Sequence, residues 1–175
     1  VHGAVGKMSR AVMACEKHQF KAELSTPIRA MLNTVGPYAP FGLRIVFANL
    51  WCFGGLLAAA ANKLGSEMNA MMRTTMAFTM ARGSKQTNVM PNEAVASVNL
   101  RLLNTTTVEQ AAEHLRRAIN DPEVEVRVRN GMNASPYADV DSDAWETLAA
   151  AVGETWTEAI VTPYLMIACS DSRHF

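Results

Sequence analysis

The 175-residue sequence predicts an α+β fold: a split βαβ unit that carries a helical insertion and is followed by a short α/β piece. Three observations carry that prediction. Helical three-and-four spacing flanks a pair of alternating, β-branched segments; a capping-box signature opens the second flanking helix; and a run with almost no charge interrupts the pattern between the first helix and the first strand.

Taken in order, Val5, Met8, Val12 and Cys15 recur at helical spacing between Ala4 and His18, so one stripe of a first helix is apolar. The stretch Leu24 to Leu64 is helical in tone, with Ser25-Thr26-Pro27 as a start signal and Val35-Gly36-Pro37 as a stop. From Phe41 to Ala61 the only charge is Arg44. That run is long enough to compare with a bilayer span, but Gly42, Asn49, Gly54 and Gly55 break it, so a buried or partner-facing helical hairpin is expected in place of a membrane segment. Thr74 to Ala81 alternates and reads as a strand, turning at Arg82-Gly83-Ser84-Lys85. Glu93 to Leu103 reads as a second strand, with Ala94, Ala96, Val98, Leu100 and Leu102 on one face and Arg101 on the other.

Thr107 with Gln110 three residues on is a capping box, and Val108, Ala111, Ala112, Leu115, Ala118 and Ile119 form the stripe of the helix it opens, which Asp121-Pro122 ends. Val124, Val126 and Val128 alternate with Glu125, Arg127 and Arg129, the pattern of a half-buried strand. The order helix, strand, strand, helix, strand is a split βαβ plait whose opening strand is expected before Val1. Beyond it, Asp143 to Trp156 is read as a helix with Trp145, Leu148, Ala149, Val152 and Trp156 on one side, and Ile160 to Ala168 as a strand of a second domain. That last segment, or the same segment of another copy, is a candidate to fill the open sheet position.

Sixteen basic and sixteen acidic side chains cancel, which removes the long-range field that nucleic acid or an anionic membrane surface would require; neither is expected as a partner. Three cysteines, Cys15, Cys52 and Cys169, are too few and too scattered for a disulfide framework, and a reducing compartment, the cytoplasm, is expected. The chain starts at Val1 and stops at Phe175 directly after an apolar run, and is expected to be a piece of a longer protein. Local metal grammar is absent from the sequence: it contains no His-x-Asp, no Glu-Glu pair, no Cys-x-x-Cys and no His-Glu-x-x-His. His18 and His114 fall at helix ends or faces where a cation is favoured, and the cysteines read as small buried hydrophobes. No catalytic nucleophile is identified. What remains is Asn88, Arg101 inside a strand, and Arg173 in Ser170-Asp171-Ser172-Arg173. A strand-fixed guanidinium suits bidentate capture of a carboxylate; the plainer alternative is a surface arginine or one paired with Asp171.

The blocks Arg73-Thr74-Thr75 to Met80, Thr87-Asn88-Val89-Met90-Pro91-Asn92-Glu93-Ala94, Val98-Asn99-Leu100-Arg101-Leu102 and Pro163-Tyr164-Leu165 to Phe175 lie in one order along nearly the whole chain. Together with Phe47-Ala48-Asn49-Leu50-Trp51 between them, they resemble the carboxypeptidase S and aminoacylase branch of the dinuclear-zinc exopeptidases, a group that includes the succinyl-diaminopimelate desuccinylases. The resemblance implies a ferredoxin-like lid, or dimerisation, domain with an antiparallel sheet and two helices over residues 1–131, the helical insertion at about 24–70, and part of the catalytic domain over 136–175. It implies that Asn88, Arg101 and Arg173 hold the substrate carboxylate or oxyanion. It implies further that two zinc ions are bound by ligands outside this chain, so His174 is not one, and that the substrate is a peptide or N-acyl amino acid, hydrolysed by a homodimer. One departure bears on Arg173: Ala168-Cys169-Ser170 stands where the family has Gly-Gly-Thr, adding bulk where backbone and substrate approach. A module that serves only as a subunit interface is the rival reading.

Overall fold

Residues 3–63 and 65–168 are described in a computed structural model of the chain. They divide into two compact units, one of Val1–Lys21 with Thr74–Ala134, the other of Ala22–Arg73 with Ser135–Phe175.

The first unit holds helix α1 (Ala4–Lys17), strands β1 (Thr75–Arg82) and β2 (Val95–Arg101), and a long helix (Val108–Ile119) that takes the label α6 once the insertion is counted. The two strands pair antiparallel, from Thr75 opposite Arg101 to Arg82 opposite Val95. The register is interrupted by a bulge between Phe78 and Met80. Thr74, just before β1, is 1% exposed, and its Oγ1 accepts the Leu103 amide at 2.9 Å, which ties the entry of one strand to the exit of the other. α1 packs on α6 and β2. Ala111, Ala112 and Leu115 are buried from α6, as its stripe required; of the α1 stripe Cys15 is buried, Met8 and Val12 are half-buried and Val5 is exposed. The capping box is formed: the Gln110 amide donates to Thr107 Oγ1 at 3.2 Å and the Thr107 amide to Gln110 Oε1 at 2.9 Å. The helix ends at Asn120 in the left-handed region, φ 45°.

The other unit contains the insertion. α2 (Thr26–Val35), α3 (Phe41–Ala48), α4 (Leu50–Ala59) and α5 (Ser66–Met72) follow one another, with short 3-10 turns at Gly36–Tyr38 and Ala61–Lys63. Pro27 begins α2 as its start signal required. Leu24, Ile28, Leu32, Leu50, Ala61, Met71 and Met72 form the core, against which Leu165 and Ile167 pack. Each fully buried Ile or Leu contributes about 1.5–3 kcal/mol. α4 turns Leu50, Gly54 and Ala58 inward at four-residue spacing, and Gly54 lets the helix approach closely, since a Cβ there would lie 2.9 Å from Leu24 Cδ1 and displace that side chain. The last helix of the chain, α7 (Asp143–Thr155), is opened by Ser142, whose Oγ accepts the Trp145 amide.

Several expectations are corrected. Val124–Val128 is not a strand: Val124 and Val126 are half-buried and their neighbours exposed, so the alternation persists, but no ladder forms on it and the described sheet is two-stranded. A strand is defined by backbone pairing, which alternation alone cannot supply. Ile160–Ala168 is likewise not assigned as a strand among the described residues, and Pro163 removes one ladder donor from its middle. The Phe41–Ala61 run holds two helices meeting at 108°, of which α4 buries one face and α3 buries no residue, while Phe41 is 78% and Trp51 84% exposed, an exposure compatible with the partner-facing alternative but not with a wholly buried hairpin. No single described helix is long and apolar enough to cross a membrane. Finally, the apolar stripe of α7 is not buried, with Leu148 57% and Trp156 61% exposed.

Candidate functional site

The β1–β2 hairpin sets the geometry of every candidate anion-binding side chain that the structure describes. Arg101 ends β2 opposite Thr75 and is exposed, on the face opposite half-buried Ala96, Val98 and Leu100. Asn88 is exposed in a turn of the 83–94 connection, beyond the other end of the hairpin. Val95, where that connection rejoins the sheet, is six residues before Arg101, about 20 Å along an extended strand. The connection lies against the start of α1: a Cβ on Gly83 would sit 2.9 Å from Val5 Cγ2, and one on Gly3 2.9 Å from Met90 Cε. Along the chain, Asn88 therefore belongs to the connecting end of the hairpin and Arg101 to the far end of β2. Arg173, with Asp171 and His174, lies outside the described residues.

The bulge decides what else shares that face. Thr75 and Ala77 stand directly opposite Arg101 and Asn99; past the bulge Met80 and Arg82 stand opposite Ser97 and Val95. Plain alternation from Thr75 would send Arg82 to the other side. The extra residue turns it onto Arg101's side. Arg127 and Arg129, from the extended segment after α6, are also exposed. Arg127 donates to Glu125, a bond that holds the Glu125 carboxyl below the usual carboxylate range. Arg82 and Arg129 were not singled out by sequence reasoning, because their common location depends on the register and on the bulge.

The two histidines among the described residues are accounted for structurally. His18 Nδ1 is 2.8 Å from the Ala14 carbonyl at the C-terminal end of α1, and His114 Nε2 is 2.7 Å from the His18 carbonyl. The His114 ring stacks on Phe20 at 4.0 Å between centroids. Burial pushes the Cys15 thiol up, with Glu16 adding to it, so Cys15 is a protonated core residue at neutral pH. Among the described residues no group of three or more His, Cys, Asp or Glu is placed to hold a metal ion. The donor set that a dinuclear zinc centre demands is therefore not met by them.

Of the motif residues around the first strand, Arg73 and Thr74 are buried, at 7% and 1% exposure. Arg73 Nε and Asn69 Oδ1 are buried without a hydrogen-bond partner among the described residues, and Ser25 Oγ and the Tyr137 hydroxyl are buried near each other. Burial raises the Tyr137 hydroxyl pKa, opposed by nearby Ser25 and reinforced by Glu23.

The family model described as peptidase dimerisation domain, of the M20 group, matches residues 2–127. Among curated relatives, a probable carboxypeptidase S-like 2 of Dictyostelium discoideum is 27% identical over 173 residues, 98% of this chain and 33% of the relative. The N-fatty-acyl-amino acid synthase/hydrolase PM20D1.1 of Danio rerio is 29% identical over 175 residues, covering 98% of this chain and 34% of its own length. The N-fatty-acyl-amino acid synthase/hydrolase PM20D1 of Homo sapiens is 30% identical over 154 residues, 86% of this chain and 30% of the relative. The chain thus spans about a third of the length of the curated relatives it matches. No solved structure matches it.

Proposed function

This chain belongs to the M20 peptidase dimerisation-domain family, and from that premise we propose that it is the lid and dimerisation part of a zinc-dependent amidohydrolase. The reaction is hydrolysis of the amide bond of a peptide or an N-acyl amino acid, the acyl-amino-acid class being favoured by the names of the relatives in Danio rerio and Homo sapiens. The observation that carries the reading is the family match over residues 2–127, the stretch that contains the sheet face on which Arg101 is exposed.

In this reading residues 1–131 are the lid and 136–175 part of the catalytic domain. Asn88, Arg101 and Arg173 bind the substrate carboxylate. A guanidinium donates two parallel N–H bonds to a carboxylate, which fixes both the position and the plane of the substrate end remote from the scissile bond. Orientation of that kind converts binding energy into rate without any bond being made by the lid itself. Zinc, held by residues outside this chain, would supply an activated water and polarise the amide carbonyl. The β1–β2 hairpin with α1 and α6 also carries the homodimer contact. The free thiols Cys15 and Cys52 support a cytoplasmic location.

A second reading, an interface module with no part in catalysis, is favoured by one observation: α3 and α4 leave Phe41, Trp51 and Leu56 at 78%, 84% and 69% exposure. Metal analysis and amidase assays of the full-length protein, beside this chain alone, separate the two. Stoichiometric zinc and turnover in the full-length protein, with neither in the chain alone, are expected. Full-length protein that binds zinc and dimerises yet hydrolyses no N-acyl amino acid or peptide overturns the enzymatic reading. Arg101→Gln in the full-length enzyme should raise KM for a free carboxylate substrate and leave its methyl ester unaffected; equal loss on both would count against the clamp.

A further inference from the structure

The exposed hairpin face carries more cation than Arg101 explains. At the loop end, where Arg82 stands opposite Val95, a cavity of about 100 Å³ is lined by Met80, Arg82, Val95, Ser97 and Arg129. The neighbouring Arg127 is engaged by Glu125 and lies in the field of Glu93. Among the described residues neither Arg82 nor Arg129 has an acidic partner. Two guanidiniums lining one small cavity repel each other, and that repulsion is relieved by an anion between them. The bulge after Phe78 turns Arg82 to this side, and the serine hydroxyl adds a neutral donor. Planar forked donors match a carboxylate or phosphate group, and the volume admits such a head group while Met80 and Val95 offer an apolar wall to the carbons attached to it. The 83–94 connection, which carries Asn88, springs from this end of the sheet.

We propose that Arg82, Arg129 and Ser97 form an anion site distinct from the Arg101 end, which takes a carboxylate or phosphate oxyanion other than the substrate carboxylate assigned to Arg101. The site does not rest on the function proposed above. The test uses the full-length protein with Arg82→Gln/Arg129→Gln and Arg82→Lys/Arg129→Lys double variants, the lysine pair preserving charge and reporting on folding. Binding of inorganic phosphate is followed by calorimetry without substrate. Wild-type protein should bind phosphate, the glutamine pair should lose that binding by about tenfold or more, and the lysine pair should restore most of the loss. Wild-type protein that binds no phosphate, or a glutamine pair that binds it as tightly as wild type, overturns the proposal.

Discussion

Replacing Thr74 by valine tests one hydrogen bond that ties the hairpin together at the Arg101 end. The side chain is 1% exposed and its hydroxyl accepts the amide of Leu103, itself 4% exposed, at 2.9 Å. Valine keeps the shape and removes the acceptor, so a buried amide is left without a partner, a cost of about 1–3 kcal/mol. The control is Thr74→Ser, which keeps the hydroxyl and loses one buried methyl, about 1 kcal/mol. In a chain of this length a loss near 2 kcal/mol lowers Tm by about 4–8 °C. Because the chain has two compact units, a single global transition is not assumed, and exchange of the Leu103 amide is followed beside thermal and urea unfolding. Thr74→Val should speed Leu103 exchange and destabilise more than Thr74→Ser. If valine proves as stable as wild type, or milder than serine, the hydroxyl bond does not hold the strands as argued.

Further outcomes follow from the same geometry. Gly131→Ala places a Cβ 2.7 Å from Val108 Cγ1 and 3.0 Å from Val128 Cγ1, so the loop after the valine-rich segment must shift; a loss of about 1–3 kcal/mol is expected in urea unfolding, and an unchanged midpoint refutes it. Thiol titration of native protein should label exposed Cys52 promptly and buried Cys15 only on unfolding; fast labelling of a Cys52→Ser, Cys169→Ser variant would show Cys15 to be accessible. Hydrogen bonds from Arg117, then its charge and those of Arg116, hold the Glu113 carboxyl below its ordinary value. A lowered folded-state pKa stabilises above the unfolded carboxyl pKa and is lost as pH falls through the folded one, so Glu113→Gln should lower stability slightly at neutral pH, leave it unchanged below the folded-state pKa, and thereby flatten the acid limb of the stability curve. A steeper acid limb would refute that sign.

Some of the molecule was legible because its cause is local. The Thr107–Gln110 capping box, Pro27 at the start of α2, and the inward stripe of α6 each depend on residues within a turn of one another, and each is found where the pattern placed it. The antiparallel pairing of β1 with β2 was also legible, since two alternating segments joined by a turn have one economical way to pair. Arg101's exposed side of the strand followed from simple alternation. The lone Arg44 marked an apolar insertion, but not that α3 and α4 would leave Phe41 and Trp51 uncovered.

The sequence by itself determined the α+β class, the helices with their caps, and the residue types able to grip an anion, because these follow from spacing and side-chain chemistry over a few residues. Only the tertiary structure decided that Val124–Val128 lacks a ladder, that one bulge carries Arg82 onto Arg101's side, and that Asn88 and Arg101 stand at opposite ends of the hairpin. Those outcomes depend on which backbone groups find partners across the sheet, and a one-residue shift in that pairing reverses the direction of every side chain beyond it.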